Sequence, residues 1–117
     1  MENKKKGEFG ELIAEKYLRG KGFSILQKNW TCRWGEIDII AEHKEAIVFV
    51  EVKYRTNTNF GAPNNSITSK KLKSLKNSIW RYLLLHNQFN EECRLDVICI
   101  TSQGRKAKLK HYKSVTF

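Results

Sequence analysis

One stretch of the sequence places ionisable side chains inside two apolar segments that otherwise have the composition of β-strands. Residues 35–41 and 47–53 are rich in Val and Ile, which favour strands, and a short polar turn joins them. Asp38 lies in the first segment, and Glu51 and Lys53 lie in the second. Because buried carboxylates are costly unless they are paired or bound to a metal, this predicted hairpin constrains the rest of the fold.

The turn between the two segments decides which charges face each other. A two-residue turn at 44–45 places Asp38 opposite Glu51, whereas a turn at 43–44 places Glu36 opposite Glu51 instead. Directly opposed residues share a face of a sheet. In both registers Asp38, Glu51 and the lysine two residues after Glu51 therefore point to the same side.

Two carboxylates and a lysine on one face have two interpretations. Closely spaced carboxylates repel unless a proton or a cation lies between them, and oxygen ligands of this kind suit Mg²⁺ or Mn²⁺. Asp38 and Glu51 would then bind the metal, and Lys53 would position a water molecule or offset charge on a phosphate. The alternative is a structural ion pair between Lys53 and one of the carboxylates.

The charge balance of the chain indicates a polyanionic partner. The 117 residues include 22 Lys and Arg and carry a net charge of +10, which most simply indicates nucleic acid. An anionic membrane is the competing partner, but no basic amphipathic segment stands apart from the predicted fold. No apolar run reaches the ~20 residues needed to span a bilayer, so we expect no membrane insertion.

The first residues and the cysteines indicate a cytoplasmic protein. Met1 is followed by Glu2 and a lysine run without an apolar region, so we expect no signal peptide. Three cysteines without a Cys-x-x-Cys spacing favour neither disulfides nor a zinc site.

The remaining periodicities predict two helices and three further strands in one domain, residues 1–117. Residues 1–6 are expected to form a basic tail, and Gly20 and Gly22 end the first helix. The order helix-strand-strand-strand-helix-strand-strand predicts an α/β fold, a mixed sheet with helices against its faces. The predicted helices are 7–20 and 68–86, the strands are 23–31, 35–41, 47–53, 94–101 and 107–115, and a polar loop, which is a candidate substrate loop, covers 54–65. The last strand is basic, and we expect it at an edge of the sheet, where its lysines deter aggregation.

Glu11 is the third candidate carboxylate. On a helical wheel the apolar arc of the first helix runs from Leu12 round to Leu18, and Glu11 falls at its border. Glu11 would there lean toward the charged face of the sheet. The alternative, a solvated carboxylate near a helix N-terminus, fits the same pattern.

Five basic residues are candidates for contact with nucleic acid. Arg33 lies between Trp30 and Trp34, and these side chains would stack on nucleotides; core packing is the more common fate of a Trp, and we expect it for at least one of the two. Arg55 follows the charged strand and shares the face of Lys53 if that strand continues. The other candidates, on the polar face of the second helix, where an ordinary solvated surface is the alternative, are Lys70, Lys73 and Arg81.

These motifs resemble the PD-(D/E)xK nucleases. Asp38, twelve intervening residues and then Glu51-Val52-Lys53 match that signature, except that Ile37 stands where the proline is usual. Residues 7–11 resemble the first helix of archaeal Holliday-junction resolvases, in which a glutamate joins the metal site, and this implies a role for Glu11. Most of the chain resembles the small bacterial YraN family, with Gly35-Glu36-Ile37-Asp38 followed by Val50-Glu51-Val52-Lys53 as its most specific combination.

The resemblance implies a restriction-endonuclease-like fold and a Mg²⁺- or Mn²⁺-dependent DNA endonuclease, acting on branched or damaged DNA and working as a homodimer. Glu11, Asp38 and Glu51 would bind the metal, and Lys53 would serve catalysis. Two other functions remain open at this point. One is a nucleic-acid-binding module whose carboxylate site is vestigial, and the other is a protein-interaction domain of competence or recombination machinery.

Overall fold

The described residues form one mixed sheet with a helix against each face. The computed structural model describes residues 3–56, 67–88 and 91–115. The predicted order of helices and strands is confirmed. The elements are α1 (Asn3–Gly20), β1 (Ser24–Cys32), β2 (Gly35–His43), β3 (Ala46–Thr56), α2 (Ser69–Leu85), β4 (Cys93–Gln103) and β5 (Lys106–Tyr112).

The sheet follows the chain order β1-β2-β3-β4-β5. Neighbouring strands are antiparallel except β3 and β4, which are parallel. A parallel pair needs a crossover, and α2 supplies it. The basic strand β5 lies at an edge of the sheet, as predicted, where its lysines also oppose pairing with other chains.

Each face of the sheet has its own hydrophobic core. Against α1, Ala14 and Leu18 pack on alternate residues of the central strands, including Val48 and Val50. Against α2, Leu75 and Ile79 pack on the opposite face. Strands buried on both faces carry near-continuous apolar runs, which explains the composition of β2, β3 and β4. The sheet residues of the second core are Ile37, Ile40, Ile47, Phe49 and Leu95.

The register of the central hairpin is the first of the two predicted. His43 pairs with Ala46, so the turn residues are Lys44 and Glu45. Their φ angles are +50° and +70°, as a type I′ turn requires. The same register, continued, places Asp38 opposite Glu51.

Three predicted boundaries move by three residues or more. Helix α1 begins at Asn3, so residues 3–6 of the expected basic tail are helical. Strand β3 continues to Thr56, so the first residues of the predicted loop 54–65 belong to a strand, because they pair with β4 as far as Ser102. Strand β5 ends at Tyr112 rather than at Val115. The rest of the predicted substrate loop, 57–65, lies outside the described residues.

The apolar face of α1 is also rotated from the predicted one. Leu12, at one end of the predicted arc, is 50% exposed, whereas Gly10 is buried. A Cβ atom at Gly10 would lie 2.8 Å from Cβ of Tyr54. This close approach brings the first half of α1 onto β3, and it places Glu11 over the sheet. Neither described helix is long and apolar enough to cross a membrane.

Candidate functional site

The candidate site lies where β2 and β3 separate. Their pairing ends at Ile39 and Val50, although β3 continues to pair with β4 on its other side. Beyond that point the Val52 amide donates a hydrogen bond of 2.8 Å to Oδ2 of Asp38. The Asp38 side chain thus accepts the hydrogen bond that a backbone carbonyl of a neighbouring strand would otherwise accept. The gap between β2 and β3 forms a cleft.

Three acidic side chains from three elements line this cleft. Asp38 comes from β2, Glu51 from β3 and Glu11 from α1. Asp38 is central, because Glu11 and Glu51 each interact with it. The cleft has a volume of about 520 Å³. Its lining residues are Gly7, Glu11, Asp38, Glu51, Val52, Lys53, Tyr54 and Arg55.

Burial raises the pKa of all three carboxyl groups, and repulsion from Asp38 raises the pKa of Glu11 and Glu51 further. The pKa of Glu51 rises from 4.5 to about 8, first because the group is buried and then because Asp38 is charged. The same causes raise the pKa of Glu11 to about 7, and a hydrogen bond from Asn29 opposes the shift. Burial also raises the pKa of Asp38. The surroundings of the cleft therefore stabilise less negative charge than three ionised carboxylates would carry.

Lys71 partly offsets this charge. Its Nζ atom lies 3.5 Å from Oε2 of Glu51, whose side chain is 8% exposed. The other oxygen of Glu51, Oε1, is buried and has no hydrogen-bond partner among the residues that the structure describes. An unsatisfied buried carboxylate oxygen is costly, so Glu51 has an unfilled place for a proton donor or a cation.

The carboxylates fit a cation that needs few protein ligands. Within the described ranges, no three His, Cys, Asp or Glu side chains form a ready set of metal ligands. The acidic groups instead form a row from Glu11 through Asp38 to Glu51. Mg²⁺ keeps several water molecules and is usually held by one or two carboxylates together with substrate phosphates. Asp38 and Glu51, with the unpartnered Oε1 atom, match that requirement, and Glu11 extends the row.

Basic side chains continue from the cleft across the sheet. Lys53 and Arg55 line the cleft, and the strand register aligns Lys53 with Cys99 and Lys110. The next aligned row holds Arg55, Thr101 and Lys108. The positive charges of Lys53, Arg55 and Lys110 all act on the Cys99 thiol, whose pKa burial raises. We call Lys53, Arg55, Lys108 and Lys110 the basic sheet face.

The other predicted nucleic-acid residues lie elsewhere. Lys70, Lys73 and Arg81 are exposed on α2, as predicted. Arg33 is exposed at the β1–β2 turn, with its guanidinium carbon 5.2 Å from the centre of the Trp34 ring. None of these four residues lines the carboxylate cleft. Trp30 packs against Tyr82 of the core, which confirms that one of the two tryptophans is a packing residue.

Two features were missed by the sequence interpretation. Lys71 lies on the side of α2 that also carries Leu75 and Ser78, and a helical wheel places it toward the sheet rather than with Lys70. The lysines of β5 were interpreted only as edge protection. Their alignment with Lys53 follows from the β4–β5 register, which depends on the turn at residues 104–105.

The chain is an α/β protein with one mixed sheet and an acidic cleft at the gap between two of its strands. The particular family follows from its relatives. The chain belongs to the family described as "Uncharacterised protein family UPF0102", which matches residues 10–100, and the resemblance to the YraN family is thereby confirmed. All residues that line the carboxylate cleft, except Gly7, lie within that range.

Several relatives match most of the chain. A UPF0102 protein of Syntrophomonas wolfei is 40% identical over 109 residues, which cover 93% of this chain and 95% of that protein. A UPF0102 protein of Clostridioides difficile is 47% identical over 98 residues, covering 84% and 86%. One from Neisseria meningitidis is 44% identical over 98 residues, covering 84% and 85%.

Proposed function

We propose that this protein is a Mg²⁺- or Mn²⁺-dependent endonuclease that hydrolyses phosphodiester bonds in DNA. The observation that carries the proposal is the row Glu11–Asp38–Glu51, with its raised pKa values and one unpartnered buried oxygen. Bound protons, the ammonium of Lys71 and the hydrogen bonds from Asn29 and the Val52 amide relieve part of the repulsion in this row, and a bound cation would relieve it further. Groups with strongly perturbed pKa values in a cleft are typical of functional sites.

The acidic and basic residues of the cleft would have different roles. Asp38 and Glu51 would hold the cation, and Glu11 would bind it directly or through a water molecule. The bound cation would supply charge neutralisation at the phosphate and activation of a water nucleophile. Lys53 would donate to that water or to the phosphate oxygen on which charge develops. Arg55 and the basic sheet face would hold neighbouring phosphates of the same strand.

The net charge of +10 supports nucleic acid as the partner, and the basic sheet face gives that charge a location next to the acidic cleft. Three free cysteines are compatible with a reducing compartment, and we propose the cytoplasm as the place where the protein acts. The resemblance to resolvases further implies a homodimer, because the two strands of a junction are cut by symmetric subunits.

A second function, a nucleic-acid-binding module without catalysis, is favoured by one observation. The ion pair between Lys71 and Glu51 already supplies a cation to the cleft from the chain itself. In a vestigial site that pair would be the permanent charge balance. The buried Oε1 atom of Glu51 opposes this function, because Lys71 leaves it without a partner.

Incubation with duplex, single-stranded, flap and four-way DNA tests the proposal. We expect cleavage of at least one substrate with Mg²⁺ or Mn²⁺, none with EDTA, and a loss of at least ~100-fold in Asp38→Asn. Glu42→Gln, an exposed carboxylate on β2, is the matched control and should cleave like the wild type. DNA binding without cleavage under all of these conditions would support the second function instead.

A further inference from the structure

A second, smaller cleft lies between the β1–β2 turn and α2, and the proposed chemistry does not use it. Its volume is about 170 Å³, and it is lined by Trp34, Asn77, Trp80, Arg81 and Leu84. Trp34 is 42% exposed and Trp80 is 56% exposed. Tryptophan is usually well buried, so two half-exposed tryptophan rings in one cleft indicate a ligand-binding or interaction surface.

The cleft is held in shape by contacts between the turn and the helix. Oγ of Ser74 donates a hydrogen bond of 2.5 Å to the carbonyl oxygen of Trp34. The next residue, Gly35, has a φ of +155°, and a Cβ atom there would lie 2.5 Å from the same Oγ. The absence of a side chain at Gly35 thus lets the turn rest directly on α2. Trp34 is positioned before any ligand arrives, which lowers the entropic cost of binding.

The surroundings of the cleft are cationic. Arg33 lies over the Trp34 ring, and Arg81 lines the cleft itself. Lys70 and Lys73 are exposed on the same side of α2, about three and two turns before Arg81. Helix α2 contains no Asp or Glu. A ligand of this cleft therefore combines a flat apolar part with negative charge.

Resting on the proposed nuclease function, we propose that this cleft binds an unpaired nucleobase of a single-stranded DNA segment. The base would stack on Trp34 or Trp80, the amide of Asn77 would meet the polar edge of the base, and Arg33 and Arg81 would contact the flanking phosphates. In an intact duplex the faces of the bases are already stacked, so a duplex offers this cleft no base unless one is flipped out.

A second copy of the chain is the competing occupant, because exposed apolar patches also form interfaces. In a two-fold interface centred on this cleft, the same patch would meet itself, and Arg33 and Arg81 would approach their own copies. Like charges in direct opposition cost several kcal/mol at an interface. The charge of the patch therefore favours nucleic acid over self-association.

The distance between the two clefts indicates how far the unpaired base lies from the bond that is hydrolysed. Lys71, which pairs with Glu51, and Arg81, which lines the smaller cleft, are ten residues apart on α2, a rise of about 15 Å. One strand of duplex DNA advances about 3.4 Å per nucleotide. The unpaired base would therefore lie within several nucleotides of the bond that is hydrolysed, as it does near a junction between single- and double-stranded DNA.

Fluorescence anisotropy in EDTA tests the base site without any cleavage. The probes are a fluorescein-labelled 15-nucleotide single strand of mixed sequence and its blunt duplex. For Trp80→Ala we expect single-strand affinity to fall about ten-fold or more and duplex affinity to change less than about two-fold. Trp34→Ala should act in the same direction. Trp80→Phe should recover most of the affinity, because it keeps a ring for stacking.

Leu26→Ala is the matched control, since Leu26 is also 44% exposed but lies on β1 outside this cleft. The inference is overturned if both tryptophan variants bind the single strand like the wild type, or if they lose the same factor on the duplex. Sedimentation that shows a wild-type dimer and a Trp80→Ala monomer, with unchanged DNA affinity, would assign the cleft to self-association. A wild type that binds through Trp80 but never cleaves with Mg²⁺ or Mn²⁺ would reject the nuclease and keep the base site.

Discussion

At the scale of single residues, Glu51 combines the strongest signs of function. It is 6% exposed, its pKa is raised to about 8, and within the described part of the chain one of its oxygens has no hydrogen-bond partner. Glu51 could be recognised from the sequence because a carboxylate in an apolar strand is rare. Lys71 could not be recognised with the same ease, because its contact with Glu51 depends on how α2 crosses the sheet.

The raised pKa of Glu51 predicts how stability depends on pH. Because the folded protein holds the proton more tightly than the unfolded chain, this contribution to stability is fully present below the unfolded pKa near 4.5 and is lost as pH rises toward 8. In EDTA the wild type should lose on the order of 3 kcal/mol relative to Glu51→Gln between pH 5 and 8. Thermal melts at several pH values measure this, and parallel curves for the two proteins would contradict it.

At the scale of elements, the approach of α1 to β3 determines where Glu11 lies. Gly10→Ala would force a Cβ atom to within 2.8 Å of Cβ of Tyr54, so the helix or the strand must move. We expect a loss of stability of about 1–3 kcal/mol. Gly7→Ala is the matched control, because a Cβ atom there meets nothing within 4 Å, and in the helix it should be neutral or stabilising. Equal melting temperatures for the two variants would argue against this close packing.

A second acidic residue, Asp96, has a structural role between elements. It is 0% exposed, and its carboxylate bonds to Nε2 of His111 at 2.7 Å, Nε of Arg94 at 3.0 Å and the amide of Ser114 at 3.0 Å. Through His111 this network also reaches Tyr17 of α1. It joins β4, β5 and α1, and its acceptors are satisfied, in contrast to Glu51.

Asp96→Asn should therefore act on stability rather than on metal binding. It removes the charge that Arg94 faces and replaces one acceptor oxygen with a donor. We expect a loss of about 3 kcal/mol, as for other broken buried ion pairs. Chemical denaturation measures the loss, and Mn²⁺ affinity of the folded variant should equal that of the wild type. If the variant kept its stability but lost Mn²⁺ affinity, Asp96 would belong to the functional site.

The elements show which parts of the fold the sequence could predict. Their number, type and order follow from apolar periodicity, and the turn at Lys44 and Glu45 was one of two registers considered. The half-exposed Leu12 could not be foreseen, because the rotation of α1 is set by its contact with Tyr54. Likewise, the basic sheet face depends on pairing between residues more than forty positions apart, as with Lys53 and Cys99.

At the scale of the whole molecule, the basic sheet face should dominate DNA affinity. The logarithm of the binding constant should fall linearly with the logarithm of salt concentration, because phosphate contacts release counterions. In Lys108→Ala/Lys110→Ala we expect the slope to decrease in magnitude by about 1–2. Lys44→Ala, at the opposite end of β3 from the cleft, is the control and should leave the slope unchanged. If both variants had the same salt dependence as the wild type, the basic sheet face would not belong to the DNA-binding interface.

The central claim is that the carboxylates of the cleft form a cation site, and calorimetric titration with Mn²⁺ tests it most directly. The wild type should bind Mn²⁺, and Asp38→Asn should lose affinity by at least ~10-fold, because a ligand charge is removed while the shape is kept. Lys53→Ala should keep Mn²⁺ binding and lose only cleavage, since its role is in the transition state. Equal Mn²⁺ binding by the wild type and Asp38→Asn would contradict the claim.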